Sequence, residues 1–309
     1  MTPSASFRSS LPGIRPASGW VLGGFVCVHT VLLSAVHAPE FARWVATPVR
    51  ALTGGWVTHE LIATLLMAVV LVGGLLWGVG GLRASDLALS TGWASGWKLL
   101  NAVLVAYLLW GLAQLLVAVG GLLGLTEIAA NPAWIQPLRP SLVGASALTV
   151  LAAAALEELM YRGFFFVHLL LALRRWGIVG ERWQMGGALA GSQLFFGLNH
   201  LPVGLDAGFT GGVLGLYVLQ VTFVGVLFAV LFMQTTNLFL VIGVHALINA
   251  PVLPFVGGID ASFVVLLLAL ALMLGHSLLG RSRIPGIGRP SPAHTSVLSS
   301  PGRPFDGRN

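Results

Sequence analysis

The sequence predicts an all-α, polytopic membrane protein built as a bundle of about eight transmembrane helices. Only 8% of the 309 residues are charged, whereas soluble domains carry about 25%. Hydrophobic residues make up 56% of the chain, and its mean hydropathy is +0.90. The apolar residues also form continuous runs about as long as the roughly 20 residues that one membrane crossing requires. Together these features exclude a soluble globular protein.

Each apolar run is interpreted as one candidate membrane span. The runs cover residues 20–37, 60–82, 99–124, 141–173, 185–201, 211–233, 236–250 and 262–280. The run at 236–250 is short for a span, and the run at 141–173 is too long to cross untilted. The bounds of these runs are therefore defined only to within about four residues.

The basic residues predict the orientation of the bundle. With alternating sides, the N-terminal side receives Arg8, Arg15, Arg83, Lys98, Arg174, Arg175, Arg182 and the five arginines after residue 280. The opposite side receives only Arg43, Arg50 and Arg139. Because cytoplasmic loops are enriched in basic residues, this imbalance predicts an even number of spans with both termini cytoplasmic. It also explains the net charge of +6 without nucleic-acid binding.

Three segments follow from the composition. Residues 1–19 form a basic cytoplasmic N-terminal segment, 20–280 a transmembrane helical domain, and 281–309 a basic tail rich in Pro, Ser and Gly that is predicted to be disordered. The single cysteine, Cys27, excludes an intrachain disulfide. Fifteen arginines against one lysine suggest a GC-rich bacterial genome, so the expected location is a bacterial inner membrane.

Ionisable side chains inside the predicted spans are the strongest functional signal, because such groups are costly in lipid unless they serve a site or a buried pair. They concentrate in the second half of the domain, although His29 and His276 lie in the first and last runs. The group comprises Glu157, Glu158, Arg162 and His168 in the fourth run, His200 in the fifth, and His245 with Asn249 in the seventh.

Helical spacing divides the charges of the fourth run into two roles. Glu158 and Arg162 are four residues apart, so they are predicted to form an ion pair on one helix face. Glu157 points to a different neighbour and is free to face a cavity. His168 lies eleven residues further on, or roughly 16 Å along the helix, which predicts a position near the membrane surface and outside the site.

The other polar groups also have helical spacing. His245 and Asn249 present an imidazole and a carboxamide on one face, and Phe196 precedes His200 by the same four residues. Pro202 is predicted to end the fifth helix, with His200 in its last turn. The sum is a carboxylate–imidazole centre formed by three helices inside the membrane.

The ordered motifs Glu-Glu-x-x-x-Arg at 157–162, Phe-x-x-x-His at 196–200 and His-x-x-x-Asn at 245–249 resemble those of the CAAX-protease and bacteriocin-processing (CPBP) family. This family includes the Ras-converting CAAX endopeptidases. The resemblance covers residues 141–250, and the stretch before them is only generically similar. It implies an intramembrane endopeptidase whose substrate is a membrane-anchored peptide or protein.

The resemblance also implies a role for each residue. Glu157 would activate a water molecule, which His200 would help to hold and polarise. His245 and Asn249 would stabilise the oxyanion of the tetrahedral intermediate, and Glu158 with Arg162 would support the site. The bacterial composition favours a peptide precursor over a prenylated CAAX protein as the substrate.

A metal cofactor is not favoured, because the HExxH motif is absent and the candidate ligands come from three helices. Zinc is kept as the alternative, with Glu157, His200 and His245 as its ligands. Two other functions use the same polar cluster. A transporter would relay protons through it, although no inverted repeat is evident, and an immunity or scaffold protein would bind a partner with it.

Overall fold

The computed structural model describes residues 13–89, 93–125, 127–130, 140–249, 255–257 and 261–282. Within these residues the fold is all-α apart from two three-residue strands, which confirms the predicted class. Residues 1–12 and 283–309 lie outside the described residues, so the predicted N-terminal segment and C-terminal tail stay predictions.

The first half of the bundle contains four helices. The helix α1 spans Gly19–Val36 and is capped by the Ser18 side chain. The helix α2 consists of the α-helical segments Pro39–Phe41 and Thr47–Leu52 with a π segment at Ala42–Ala46 between them. The helix α3 consists of an α-helical segment at His59–Met67 followed by a π segment at Ala68–Val79. The helix α4 spans Trp93–Leu122. A 3₁₀ turn at Ala84–Leu87 lies between α3 and α4.

The second half contains the predicted site. The long helix α5 runs from Pro140 to Arg175 and contains a π segment at Leu159–Phe166 between the α-helical segments Pro140–Glu158 and Val167–Arg175. The helices that follow are α6 (Glu181–Leu198), α7 (Leu201–Asp206), α8 (Gly211–Thr235), α9 (Leu238–Asn249) and α10 (Ala261–Ser282). The strand β1 (Ile128–Ala130) pairs antiparallel with β2 (Phe255–Gly257), with Ala129 opposite Val256.

All eight predicted runs coincide with helices, but only part of the predicted span count is established. Among the described residues, four helices are long and apolar enough to cross a membrane: Gly19–Val36, His59–Val79, Gly96–Leu122 and Gly211–Thr235. The apolar helices Leu238–Asn249 and Phe263–Leu272 are shorter. The count of eight crossings therefore stays a prediction.

The outer surface of these helices suits a lipid environment. On α4, Leu104, Tyr107 and Leu108 are all more than 60% exposed. A soluble monomer rarely presents such continuous apolar surface. The exposed apolar helices identify an integral membrane protein.

Contacts between distant segments agree with the predicted sides. The Asp86 carboxylate accepts a hydrogen bond from the Arg15 backbone N–H at 2.9 Å, and Lys98 Nζ donates to the Thr236 carbonyl at 2.9 Å. We call this end of the bundle the basic end. At the opposite end, which we call the far end, His37 Nδ1 lies 2.8 Å from Asp206 Oδ2. Each of these contacts joins segments predicted to share a side.

Candidate active site

The three charges of the fourth run lie where α5 changes from an α-helix to a π segment. Glu157 and Glu158 are the last residues before this segment, and Arg162 lies within it. The run that was predicted to be too long for an untilted span is one continuous helix in the structure. Segments of π-helix are frequent at functional sites.

Glu158 and Arg162 form the ion pair that their spacing predicts. Arg162 Nη1 lies 3.0 Å from Glu158 Oε1, and both side chains are fully buried. Arg162 Nη2 also donates to the Gly225 carbonyl at 3.1 Å. The guanidinium carbon lies 4.3 Å from the ring centre of Phe196 and 5.4 Å from that of Phe228. The cation is therefore compensated by a carboxylate, a carbonyl and two aromatic faces.

Glu158 has a second partner that the sequence analysis missed. The Nδ1 atom of His245 lies 2.7 Å from Glu158 Oε1, and a carboxylate can only accept this bond. The Nδ1 atom of His245 therefore carries the proton, and Nε2 is left to face Glu157. Glu158 thus orients an imidazole in addition to neutralising Arg162.

His200 lies in the corner between two helices, and the prediction that it belongs to the last turn of the fifth helix is wrong. The helix α6 ends at Leu198, and Asn199 is its C-cap. His200 is the N-cap of α7, and Pro202 lies in the first turn of that helix. The fixed φ of a proline favours this position at the start of a helix. His200 Nδ1 donates to the Phe196 carbonyl at 2.9 Å, which directs Nε2 towards Glu157.

The two imidazoles converge on one carboxylate oxygen. Glu157 Oε2 lies 3.7 Å from His245 Nε2 and 3.9 Å from His200 Nε2. Among the described residues this oxygen is buried and has no hydrogen-bond partner. Because each Nδ1 donates elsewhere, each neutral ring presents Nε2 as an acceptor. Three acceptors thus face one another, an arrangement suited to a shared proton donor.

A cavity of about 240 Å³ adjoins this cluster. It is lined by side chains from α1, α3, α5 and the α6–α7 corner, including Glu157 and His200. Their side chains are 29% and 21% exposed. The His245 side chain is 6% exposed, so it contacts Glu157 mainly from the protein interior. The Glu157 side chain therefore lies between the interior histidine and the cavity.

A second polar cluster lines the same cavity. The Tyr161 hydroxyl lies 3.1 Å from His29 Nε2, and both side chains are buried. Asn199 lines the same cavity. Tyr161 lies four residues after Glu157, so helical spacing could have placed it in the site. The sequence offered no signal that His29, from the first helix, would join it.

The remaining polar residues of the sequence analysis differ in their surroundings. Asn249 is exposed as the last described residue of α9, one turn beyond His245. His168 is outside the site, as predicted: Nδ1 accepts from the Ala17 backbone N–H, and Nε2 donates to the Asp86 carbonyl, each at 2.9 Å. The His276 side chain lies outside the described residues.

By residue type, Glu157, His200 and His245 match the ligand set that zinc would use. Within the part of the chain that the structure describes, however, no three His, Cys, Asp or Glu side chains are spaced to hold a metal ion.

Comparison with known proteins identifies one family. Residues 139–251 match the family model described as Rce1-like, type II CAAX prenyl endopeptidase. This segment contains all three motifs, so the resemblance to the CPBP family is confirmed, and the family implies peptidase activity. No curated protein and no solved structure matches the chain.

Proposed function

Because residues 139–251 match the type II CAAX prenyl endopeptidases, we propose that this protein is an intramembrane endopeptidase. It hydrolyses a peptide bond in a membrane-associated peptide or protein of a bacterial inner membrane. The observation that carries the proposal is the convergence of His200 Nε2 and His245 Nε2 on Glu157 Oε2 beside a cavity.

Glu157 is the proposed general base. Distances of 3.7 and 3.9 Å are too long for direct hydrogen bonds but suit groups that share a bridging water. A water molecule has two O–H donors for this set of acceptors. Transfer of one proton to Glu157 leaves a hydroxide-like oxygen that attacks the scissile carbonyl carbon, and general base catalysis of this kind contributes about 10²–10⁴-fold.

His245 and Asn249 are the proposed oxyanion donors. For His245 to donate, Nε2 must first take up a proton from solvent, which makes the ring an imidazolium and leaves Glu157 and His200 as the acceptors for the two O–H groups of the bridging water. Glu158 supplies the adjacent negative charge through its 2.7 Å bond to Nδ1. An oxyanion donor in a water-poor site is worth roughly 3 kcal/mol. The proton held by Glu157 then passes to the leaving amine, which completes hydrolysis.

The proposed reaction uses no metal. The absence of an HExxH motif favours this choice, and a water activated by Glu157 is sufficient for the chemistry. In the alternative mechanism, Glu157, His200 and His245 would hold a zinc ion, which would supply a polarised water. Metal analysis of the purified protein, together with cleavage assays with and without a chelator, separates these two mechanisms.

Comparing Glu157→Gln with wild type in liposomes tests the function. The assay uses a library of membrane-inserted peptides with a mass-spectrometric readout. Loss of the base predicts at least a roughly 100-fold decrease in cleavage with unchanged folding. Glu40→Gln is the matched control, because Glu40 is exposed in the first turn of α2.

Equal cleavage by Glu157→Gln and wild type would reject Glu157 as the base. If no peptide were cleaved and proton flux through the liposomes depended on Glu157, the transporter alternative would replace the peptidase.

A further inference from the structure

The cavity beside Glu157 belongs to one end of the bundle. Its lining from α1 comes from the second half of that helix, including His29, Leu33 and Val36, whereas its lining from α3 comes from the first half. Because these helices run in opposite directions, both stretches lie towards the far end. The cavity therefore extends from Glu157 towards the far end.

The rim of the cavity lies at the far end. His37 and His59 line the cavity. His37 contacts Asp206, the last residue of α7, at 2.8 Å, and His59 Nε2 contacts the Val36 carbonyl at 3.1 Å. Glu60 lines the rim and is exposed. These polar side chains form the entrance of the cavity, and Leu33, Ala63 and Met67 form its apolar walls.

From Glu157 towards the basic end, the bundle is closed by packed side chains. Below Glu157 on α5, the residues Met160, Phe164 and Val167 are almost completely buried. At the basic end, both ring nitrogens of His168 are bonded to backbone atoms of the N-terminal segment and the 3₁₀ turn. Among the described residues, none of the basic-end groups lines the cavity.

The distribution of basic residues assigns the two ends to sides of the membrane. Among the described residues, the basic end carries Arg15, Arg83, Lys98, Arg174, Arg175 and Arg182, and the far end carries Arg43 and Arg50. Short loops rich in basic residues stay in the cytoplasm. The far end, with the rim of the cavity, is therefore extracytoplasmic.

We propose that the active-site cavity opens on the extracytoplasmic face of the membrane. Its substrates are then peptides whose scissile bond has crossed the membrane or lies at its outer surface, such as the exported part of an anchored precursor. The substrate class rests on the proposed peptidase function, but the direction of opening rests only on the cavity and the charges.

Cysteine accessibility tests this opening without using activity. Cys27 is the only cysteine, so Cys27→Ser gives a cysteine-free background. Single cysteines are then introduced as Glu60→Cys at the rim, Ala153→Cys on the cavity wall and Val179→Cys at the basic end. Val179 is 86% exposed. Right-side-out and inverted membrane vesicles are treated with a charged, membrane-impermeant maleimide.

The proposal predicts that Glu60→Cys and Ala153→Cys react in right-side-out vesicles and that Val179→Cys reacts only in inverted ones. Labelling in detergent shows that each thiol is reactive. Thr64 is another cavity position, so Thr64→Cys replaces Glu60→Cys or Ala153→Cys if either variant does not fold. The reverse pattern overturns the orientation. Reaction of Ala153→Cys only from the Val179 side, or from neither side, overturns the opening. All these results are obtained whether or not the protein cleaves peptides.

Discussion

Two polar clusters each include a residue of the helix α5, and they differ in how completely their histidines are bonded. His168 has a backbone partner at each ring nitrogen. In the cluster around Glu157, by contrast, His200 and His245 each use one nitrogen for a fixed contact and direct the other towards a shared oxygen. A completely bonded histidine stabilises a fold, whereas convergent groups with remaining bonding capacity can act on a substrate.

The largest expected effect comes from breaking the Glu158–Arg162 pair. Arg162→Met leaves a fully buried carboxylate without its cation, which costs about 3–5 kcal/mol. We expect little folded protein, measured by size-exclusion chromatography in detergent after heating. The double variant Glu158→Met with Arg162→Met recovers most of the stability, because no isolated charge remains.

The same double variant separates support from orientation. It removes the acceptor that fixes His245, so we expect a folded protein with a cleavage rate at least about 10²-fold below wild type. A folded and fully active double variant would show that Glu158 has no role beyond neutralising Arg162.

Replacing one histidine from each cluster tests the comparison directly. His200→Ala lowers the cleavage rate by about 10²-fold or more with little loss of stability, because the side chain is partly exposed. His168→Ala leaves two backbone groups without partners and lowers the free energy of unfolding by about 1–3 kcal/mol. Activity per folded molecule stays at the wild-type level in His168→Ala. An exchange of these two phenotypes would contradict the assignment of the clusters.

Gly225 allows a test of the packing around Arg162. A Cβ atom there would lie 2.8 Å from Gln193 Oε1 and 3.1 Å from Arg162 Nη2. Gly225→Ala therefore costs about 1–3 kcal/mol through overpacking and lowers activity by displacing the guanidinium. Gly215→Ala on the same helix is the matched control, because its added Cβ meets no atom within 4 Å. Equal thermal stability of both variants would contradict this packing.

The smallest effect concerns the pH dependence of the basic-end cluster. Burial alone would raise the pKa of Asp86, but hydrogen bonds from the Arg15 and Arg83 backbones and the Arg15 charge lower the pKa below its usual value. Since the pKa is lower in the folded state, Asp86 stabilises the fold above its unfolded pKa of about 3.9. That stabilisation is lost as the pH falls through the folded value.

Asp86→Asn should therefore lower thermal stability at pH 7 by roughly 1–2 kcal/mol, and the difference from wild type should shrink below about pH 4. Melting curves of both proteins between pH 3 and 7 measure this. A difference that stays constant across this range would assign the effect to packing and not to charge.

The parts of the site that depend on local geometry were predictable from sequence. The Glu158–Arg162 pair follows from residues four apart on one helix, and it is present. The Phe196–His200 contact is also present, although His200 lies beyond the end of α6. The corner at His200 was not predicted, because Pro202 was interpreted as the end of one helix when it lies in the first turn of the next. Proline is compatible with both positions.

The contacts that complete the site depend on tertiary packing. Glu158 and His245 are 87 residues apart, and His29 and Tyr161 are separated by 132, so no periodic pattern relates them. The span count has a similar limit, because a short apolar helix such as Leu238–Asn249 can either cross a membrane or lie within a protein core. Composition alone does not distinguish these two cases.

The stacked guanidinium of Arg162 has a geometric consequence for the whole centre. Phe196 and Phe228 contact the cation from two helices, and their rings also lie 4.6 Å from the ring of His200 and 4.8 Å from that of His245. The ring of Phe196, the guanidinium of Arg162 and the ring of Phe228 therefore lie between the imidazoles of His200 and His245, and these three groups set the distance between the two imidazoles. A lysine at position 162 would keep the charge but could not fill the space between the two aromatic rings, so the planar shape of arginine acts as the spacer that fixes the width of the site.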